Sequence, residues 1–456
     1  MALTDGGSPA APQHPRSPRR RVLALAWPIV LANSAVPLLG LVDTAVIGNT
    51  GTVQGLGAIA LGAIVFNFAY WSFGFLRMGT TGFTAQASGA GDEAEVRATL
   101  ARALLLGGGL AALLLLFQQP LIAVSLRLLG PSDDVAALTR AYFDIRIWGA
   151  PASLAMFALL GTFVGLGRTG LLLKTQITLN GLNILLDVVF AGVLGWGVQG
   201  IALGTAIAEW TTLGLALLLA YRLLRDRHED AEPFWPWARV LDREKAKKTL
   251  GANTDIMVRT LSLLGGFAWF TSQGARFGDT VLAANHVLLQ LVSASAYLLD
   301  GYAHATEVMV GRAIGARTRE AFDRAVRAAT ELAGGTAVVL TALVWWAGPW
   351  VIALLTTHEP VRAVASTYLP YTAVYVLLSF GAFQLDGVFI GATRTRDMRN
   401  AGLASLAVFL GASWLLVPGW ANTGLWIAFV IYVVTRGLTL LARMPALRAS
   451  VEEARG

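Results

Sequence analysis

Asn180, Asn183 and Asp187 lie in an apolar run, among Leu179, Leu182, Ile184, Leu185, Leu186, Val188, Val189 and Phe190. Steps of three and four put the two amides and the carboxylate on one helix face. An ionisable side chain at bilayer depth costs about 2.5–3.5 kcal/mol on insertion scales, so this face must meet other helices or water. A carboxylate with amides beside it suits a proton or a small cation; a helix–helix hydrogen-bond cluster is the plainer alternative. A second polar face is longer. His286, Gln290, Ser293, Tyr297, Asp300, His304 and Glu307 follow one another in alternating steps of four and three, a stripe that lipid cannot satisfy. Asn67, Tyr70, Arg77, Thr81 and Ser88 make a similar face. Together these faces predict a polar cavity. Arg77 is a partner for Asp300 or Glu307 across it, and His304, between two carboxylates, is either a proton carrier or simply their hydrogen-bonded neighbour. Asp386 is a further acid within an apolar run. Asp43 follows Pro28 and Pro37 in the first run, and prolines remove ladder bonds and bend helices, so this acid sits beside a candidate hinge.

These faces need membrane helices to position them. Of 456 residues, 55% are hydrophobic and 14% charged, against about 25% charged in an average soluble domain. Mean hydropathy is +0.60. A span needs about 20 apolar residues, and about twelve such runs occur, near 23–47, 56–88, 98–124, 136–166, 171–194, 198–221, 250–274, 281–311, 322–346, 361–391, 401–418 and 423–444. The expected fold is an all-α polytopic membrane protein with twelve transmembrane helices.

The halves repeat. Gly161-Thr-Phe163-Val-Gly165 returns as Gly387-Val-Phe389-Ile-Gly391, each followed by Arg-Thr, at an offset of 226 residues. The same offset pairs Gly89 with Gly315, Gly108-Gly109 with Gly334-Gly335, and Thr81 with Glu307. Six spans per half give parallel repeats, two pseudo-symmetric six-helix bundles about an axis along the membrane normal. The division is a disordered tail over 1–21, an N lobe over 22–221, a linker over 222–248, a C lobe over 249–445 and a tail over 446–456. Lys and Arg are absent from 49–55, 195–200 and 419–422 but dense in 222–248, 312–327 and 394–399. The positive-inside rule then places both termini in the cytoplasm.

Absent motifs narrow the chemistry. The sequence has no cysteine, no phosphate loop, no His-Glu-x-x-His and no Gly-x-Ser-x-Gly, so nothing marks an ATP motor or a hydrolase. No cofactor is expected. Secondary transport remains, with a flippase for a lipid-linked oligosaccharide or related amphiphile as its rival. A membrane-embedded transferase using His304 is less favoured, and a structural scaffold is the bland alternative. A flippase predicts strongly basic cavity walls, whereas these faces read acidic and neutral with Arg77 the main exception.

The runs Pro37-Leu-Leu-Gly-Leu-Val-Asp43-Thr-Ala45, Phe73-Gly-Phe-Leu-Arg77-Met-Gly-Thr-Thr-Gly82 and Asp386-Gly-Val-Phe-Ile-Gly-Ala-Thr-Arg-Thr-Arg396 resemble the multidrug and toxic compound extrusion (MATE) family, most closely its DNA-damage-inducible F branch. The resemblance spans essentially residues 22–445. It implies alternating access between two lobes, exporting cationic or amphipathic drugs against protons or sodium. It also implies an N-lobe cation site of Asp43, Asn183, Asp187 and Thr205, with Asn180 and Glu209 close by. Any bound Na+ would sit there, and H+ is the favoured ion. The expected substrate cavity is Asn67, Tyr70, Arg77, Tyr297, Asp300, His304, Glu307, Tyr375 and Asp386, its aromatics holding cationic rings. Asp255, beside Arg259, reads as a structural ion pair rather than a seventh-helix ion site. The expected setting is the bacterial inner membrane, with a functional monomer.

Overall fold

The computed structural model describes residues 17–451; within 35–45 and 47–50 it describes the helical backbone alone. The chain folds as consecutive helical columns. These are α1 (Pro18–Thr50), α2 (Val53–Gly89), α3 (Glu93–Leu116), α4 (Asp133–Gly165), α5 (Thr169–Val193) and α6 (Gly197–Arg225). A second set follows: α7 (Arg243–Ala275), α8 (Asp279–Gly315), α9 (Arg319–Leu355) and α10 (Glu359–Gly391). The run Thr395–Leu441 breaks at Ala421, where φ is 45° and ψ −128°, three residues after Pro418. It is therefore two helices, α11 (395–420) and α12 (422–441). No strand occurs among the described residues. The offset of 226 is architectural: α2 and α8 begin at Val53 and Asp279, α3 and α9 at Glu93 and Arg319, α4 and α10 at Asp133 and Glu359, α5 and α11 at Thr169 and Thr395.

Several boundaries differ from the sequence reading. Ser17 caps α1, its hydroxyl accepting from the Arg20 amide at 3.4 Å, and Pro18 suits the first helical position. Arg19, Arg20 and Arg21 thus lie in the first turn of α1 rather than in a tail, and Arg19 pairs with Glu331 at 2.6 Å. The linker is shorter than 222–248, because α6 runs on to Arg225 and α7 begins at Arg243. It is also docked. Arg97, wholly buried, donates to Phe234 O at 2.7 Å and to Asp230 at 2.8 Å. Arg239 pairs with Asp92 at 2.8 Å and Glu232 at 2.5 Å, and Lys245 with Glu95 at 2.5 Å. The Arg97 guanidinium holds the Asp230 carboxyl below the usual carboxylate range.

Each lobe has its own apolar core. In the C lobe Phe270, Phe409, Trp426, Phe429 and Tyr432 cluster; in the N lobe Phe163, Leu159 and Leu166 pack with Leu213 and Leu224. Exposed Trp345, Trp346, Trp350, Trp414 and Trp420 are what a lipid-facing surface carries. The lobes meet where α2 crosses α8 and α10, and small residues allow it. A Cβ on Gly82 would lie 2.4 Å from Ile390 O, on Gly89 2.2 Å from Arg312 O, and on Gly315 2.0 Å from Gln86 O. Gly89 is the repeat mate of Gly315, and Gln86 of Arg312, so this contact is nearly self-symmetric. Gln86 Nε2 donates to Gly391 O at 2.9 Å, and Arg312 Nη2 to Leu166 O at 2.5 Å. These bonds close the seam at the end of the bundle that carries the basic loops.

Candidate functional site

In the N lobe, α5 and α6 are drawn together by Gly200 and Gly204, four residues apart. A Cβ at Gly204 would stand 2.8 Å from Asp187 Oδ1, and one at Gly200 2.9 Å from the Phe190 carbonyl carbon. Small residues at this spacing let membrane helices approach closely. Asp187 and Asn183 are consequently buried, 0% and 1% exposed. Asn183 Nδ2 donates to Thr205 Oγ1 at 2.8 Å, and the Thr205 hydroxyl donates to Ile201 O at 2.9 Å. Asn183 Oδ1 is buried and accepts no hydrogen bond among the described residues, and Asn180 Nδ2 is likewise without an acceptor. Buried polar atoms left this way call for an explanation, of which a ligand is one. Directly after Asp187, α5 widens into a π-helix over Val188–Val193, a distortion frequent at functional sites. The α1 backbone passes along α5, and Val46 packs with Ala191, Val198, Ile201 and Ala202. Asp43 is on this helix; its side chain lies outside the described residues.

The stripe on α8 descends into the molecule. His286 and Gln290 are exposed, Ser293, Tyr297 and Asp300 half-buried, and His304 and Glu307 buried. Arg77 approaches Glu307 at 3.8 Å. His304 stands between the acids, 3.6 Å from Asp300 Oδ2 and 3.9 Å from Glu307 Oε1. These are ion-pair rather than hydrogen-bond distances.

Asp386 differs. It hydrogen-bonds Arg259 of α7, and Arg436 of α12 lies 3.7 Å away. All three are buried, at 4%, 7% and 4% exposure. The Arg436 guanidinium also covers the Phe383 ring at 5.6 Å. A third buried charge cluster joins α4 to α6. Arg146 binds both Glu209 oxygens, at 2.8 and 2.7 Å, and the Tyr70 hydroxyl at 3.1 Å. Its guanidinium stacks 5.0 Å above Phe66.

The two-lobe helical repeat with buried acids and amides has a counterpart among known proteins. The MatE family model matches residues 28–189 and again 256–414. This chain belongs to the multidrug and toxic compound extrusion (MATE) family. It is 38% identical to the DNA damage-inducible protein F of Escherichia coli over 418 residues, 92% of this chain and 90% of that protein. It is 31% identical to a probable multidrug resistance protein NorM of Deinococcus radiodurans, covering 93% and 94%. Its fold matches that of a MOP superfamily transporter from Pyrococcus furiosus with a TM-score of 0.84 at 21% identity, over 96% and 97% of the two chains. The MATE chain is thus a multi-pass membrane transporter of the DNA-damage-inducible F branch.

Within this MATE fold, Asn183, Asp187 and Thr205 come together, with Asn180 one turn along the same helix. Arg77, Asp300, His304 and Glu307 form one interlobe group. Asn67 is exposed and Tyr297 half-buried, and neither hydrogen-bonds to that group among the described residues, Tyr297 only lying near Asp300. Three sequence assignments need correction. Asp386 is no open cavity acid, because two guanidiniums neutralise it. Tyr375 is 4% exposed and stacks on Phe429 at 4.6 Å in the C-lobe core, as a large ring in an apolar run does. Tyr70 holds the Arg146–Glu209 pair. Asp255 is the structural ion pair expected, but its partner is Arg399 at 2.8 Å, with Thr395 Oγ1 donating at 3.0 Å. Arg146 and Arg436 escaped the sequence reading, and Arg259, placed there beside Asp255, pairs with Asp386 instead. Their signal was present: each is an arginine inside an apolar run, and lipid demands a carboxylate for it.

Proposed function

We propose that this MATE protein exports cationic or amphipathic compounds in exchange for protons, with sodium the alternative ion, by alternating access between its lobes. The observation that carries the reading is the buried Asn183–Thr205 hydrogen bond with Asp187 one turn from Asn183 and its oxygen against Gly204. A carboxylate beside a free amide oxygen offers the oxygen ligands that a proton or a hard cation takes. The family resemblance adds Asp43 to the set, on α1, the proline-bearing helix whose backbone runs along α5. Loading these two acids bends α1 and expels the compound outward; unloading resets the lobes. Driving a two-state equilibrium from 1:99 to 99:1 needs about 5.5 kcal/mol of differential binding.

The closed seam at the basic end supports release on the opposite side, which the positive-inside rule assigns to the exterior of the bacterial inner membrane. The halves of one chain supply the whole path, so a monomer suffices. A flippase for a pyrophosphate lipid fits less well, since the arginines buried within the spans are engaged by acids, Arg146 by Glu209 and both Arg259 and Arg436 by Asp386. The test is efflux of a lipophilic cation such as tetraphenylphosphonium from proteoliposomes. A pH gradient alone is expected to drive it. Efflux under a sodium gradient only would transfer the coupling to sodium, and none under either gradient would reject antiport.

A further inference from the structure

We propose that the basic end of the interlobe seam binds a phosphate-bearing anion, the headgroup of an acidic membrane phospholipid, on Arg21, Arg168, Arg227 and Arg312. Four elements bring these arginines together. Arg312, near the end of α8, lays its guanidinium on the α4–α5 turn: Nη2 donates to Leu166 O at 2.5 Å, and a Cβ on Gly167 would lie 3.0 Å from that nitrogen. Arg168 is the next residue of the turn. Arg227 arrives from beyond the end of α6, its Nη2 3.4 Å from Ser88 Oγ, beside the Gly89 that faces the Arg312 backbone. Arg21 arrives with α1, where Val22 and Ala26 are buried with Ala305 and pack against Met309, one turn before Arg312. Arg227, Arg168 and Arg21 all add positive potential at Arg312, and Glu93 opposes them.

The charge here does not balance. Glu93 is already bonded to Arg227. Arg21, Arg168 and Arg312 form no ion pair with any carboxylate among the described residues, and Arg312 Nε is buried without a hydrogen-bond partner there. Arg21 and Arg168 are exposed at this end and Arg312 is half-buried, so they can meet a ligand from outside, whereas the buried guanidiniums find carboxylates within the protein, Arg97 at Asp230, Arg146 at Glu209, and Arg259 and Arg436 together at Asp386. Guanidiniums bind phosphate through paired N–H donors. Basic pockets between membrane helices on the cytoplasmic side suit anionic headgroups, and the loop charges place this end there. Arg312 belongs to the C lobe and the other three to the N lobe or its end, so one anion bridges the seam and favours its closed form.

The test is the unfolding midpoint of the full chain in a neutral detergent, titrated separately with phosphatidylglycerol, phosphatidylcholine and inorganic phosphate. A ligand that binds only the folded state raises the midpoint. Phosphatidylglycerol is expected to raise it and phosphatidylcholine to leave it unchanged. Arg21→Gln/Arg168→Gln, which removes no bond seen in the structure, is expected to lose most of the rise. A rise of equal size with inorganic phosphate supports the anion site with a soluble source. The phosphorus content of protein purified from membranes gives a second readout that does not depend on the variant's stability, and it should fall in the double variant. An unchanged midpoint with both phosphates, or an equal rise and equal phosphorus in wild type and double variant, overturns the site.

Discussion

The fifth helix of the N lobe and its repeat mate in the C lobe occupy equivalent places but carry different chemistry. Asn180, Asn183 and Asp187 on α5 correspond, at the offset of 226, to Leu406, Phe409 and Ser413 on α11. The first set lies beside Thr205 and Gly204. In the second, Phe409 joins the aromatic core, stacking on Tyr432 at 5.1 Å, and Ser413 accepts from Trp269 Nε1 at 3.1 Å. The C lobe keeps a buried acid, but on another helix and already compensated: Asp386 has Arg259 and Arg436. A duplicated scaffold has thus kept its helix positions while its buried polar groups diverged. The N-lobe acid lies among amide and hydroxyl side chains, the setting of the proposed ion site, and the C-lobe acid lies between two guanidiniums.

The largest effect that would break this comparison is on transport. Asp187→Asn and Asp43→Asn are each expected to abolish efflux in proteoliposomes while the protein remains folded and membrane-inserted; normal rates in both would remove the N-lobe site. The C-lobe acid should answer in stability instead. Asp386→Asn leaves two guanidiniums without a carboxylate and is expected to cost about 3–5 kcal/mol, read as a lowered unfolding midpoint. Arg259→Met/Asp386→Leu should recover part of that loss, because it leaves one buried guanidinium, Arg436, without a carboxylate instead of two. A smaller effect is expected from Gly204→Ala, whose Cβ would press on Asp187 Oδ1 at 2.8 Å: a several-fold slower efflux with near-normal stability. Slower efflux from Gly265→Ala as well, where the nearest atom is 3.8 Å away, would make the result unspecific.

Much of this was legible in the sequence, for physical reasons that also mark where legibility ended. Helix number and the repeat follow from hydropathy and the 226 offset, since lipid forces each span to be long and apolar. The α5 triplet was visible because helical spacing alone fixes a shared face. Arg77 and Glu307 were nameable as partners because opposed charges on facing stripes have few alternatives in lipid. Pairings between distant helices were not legible. Nothing local in Val434-Thr-Arg436 points to Asp386, and Tyr375 on its own does not reveal that Phe429 stacks on it. The break at Gly74 inside α2, between Phe73 and Phe75, and the π turn after Asp187 are backbone responses to packing that composition does not announce.

The smallest expected effect concerns the linker, which joins the unlike lobes. Asp230 has its carboxyl lowered by Arg97, so its bonding contributes stability above the ordinary carboxylate range. That contribution is lost only as pH falls through the depressed value. Between neutral and mildly acidic pH the linker should therefore stay docked, and Asp230→Asn should modestly speed tryptic cleavage between α6 and α7 at neutral pH. Cleavage unchanged in the variant would show that Phe234 O alone secures Arg97.

The most direct measurement sets the two lobes against each other: pH-gradient-driven efflux of tetraphenylphosphonium by wild type, Asp187→Asn and Arg259→Met/Asp386→Leu, in the same vesicles. A one-sided coupling site predicts no efflux from Asp187→Asn and substantial efflux from the paired C-lobe variant. Gradient-driven efflux retained in Asp187→Asn but lost in the paired variant would place the coupling ion in the C lobe and contradict this account.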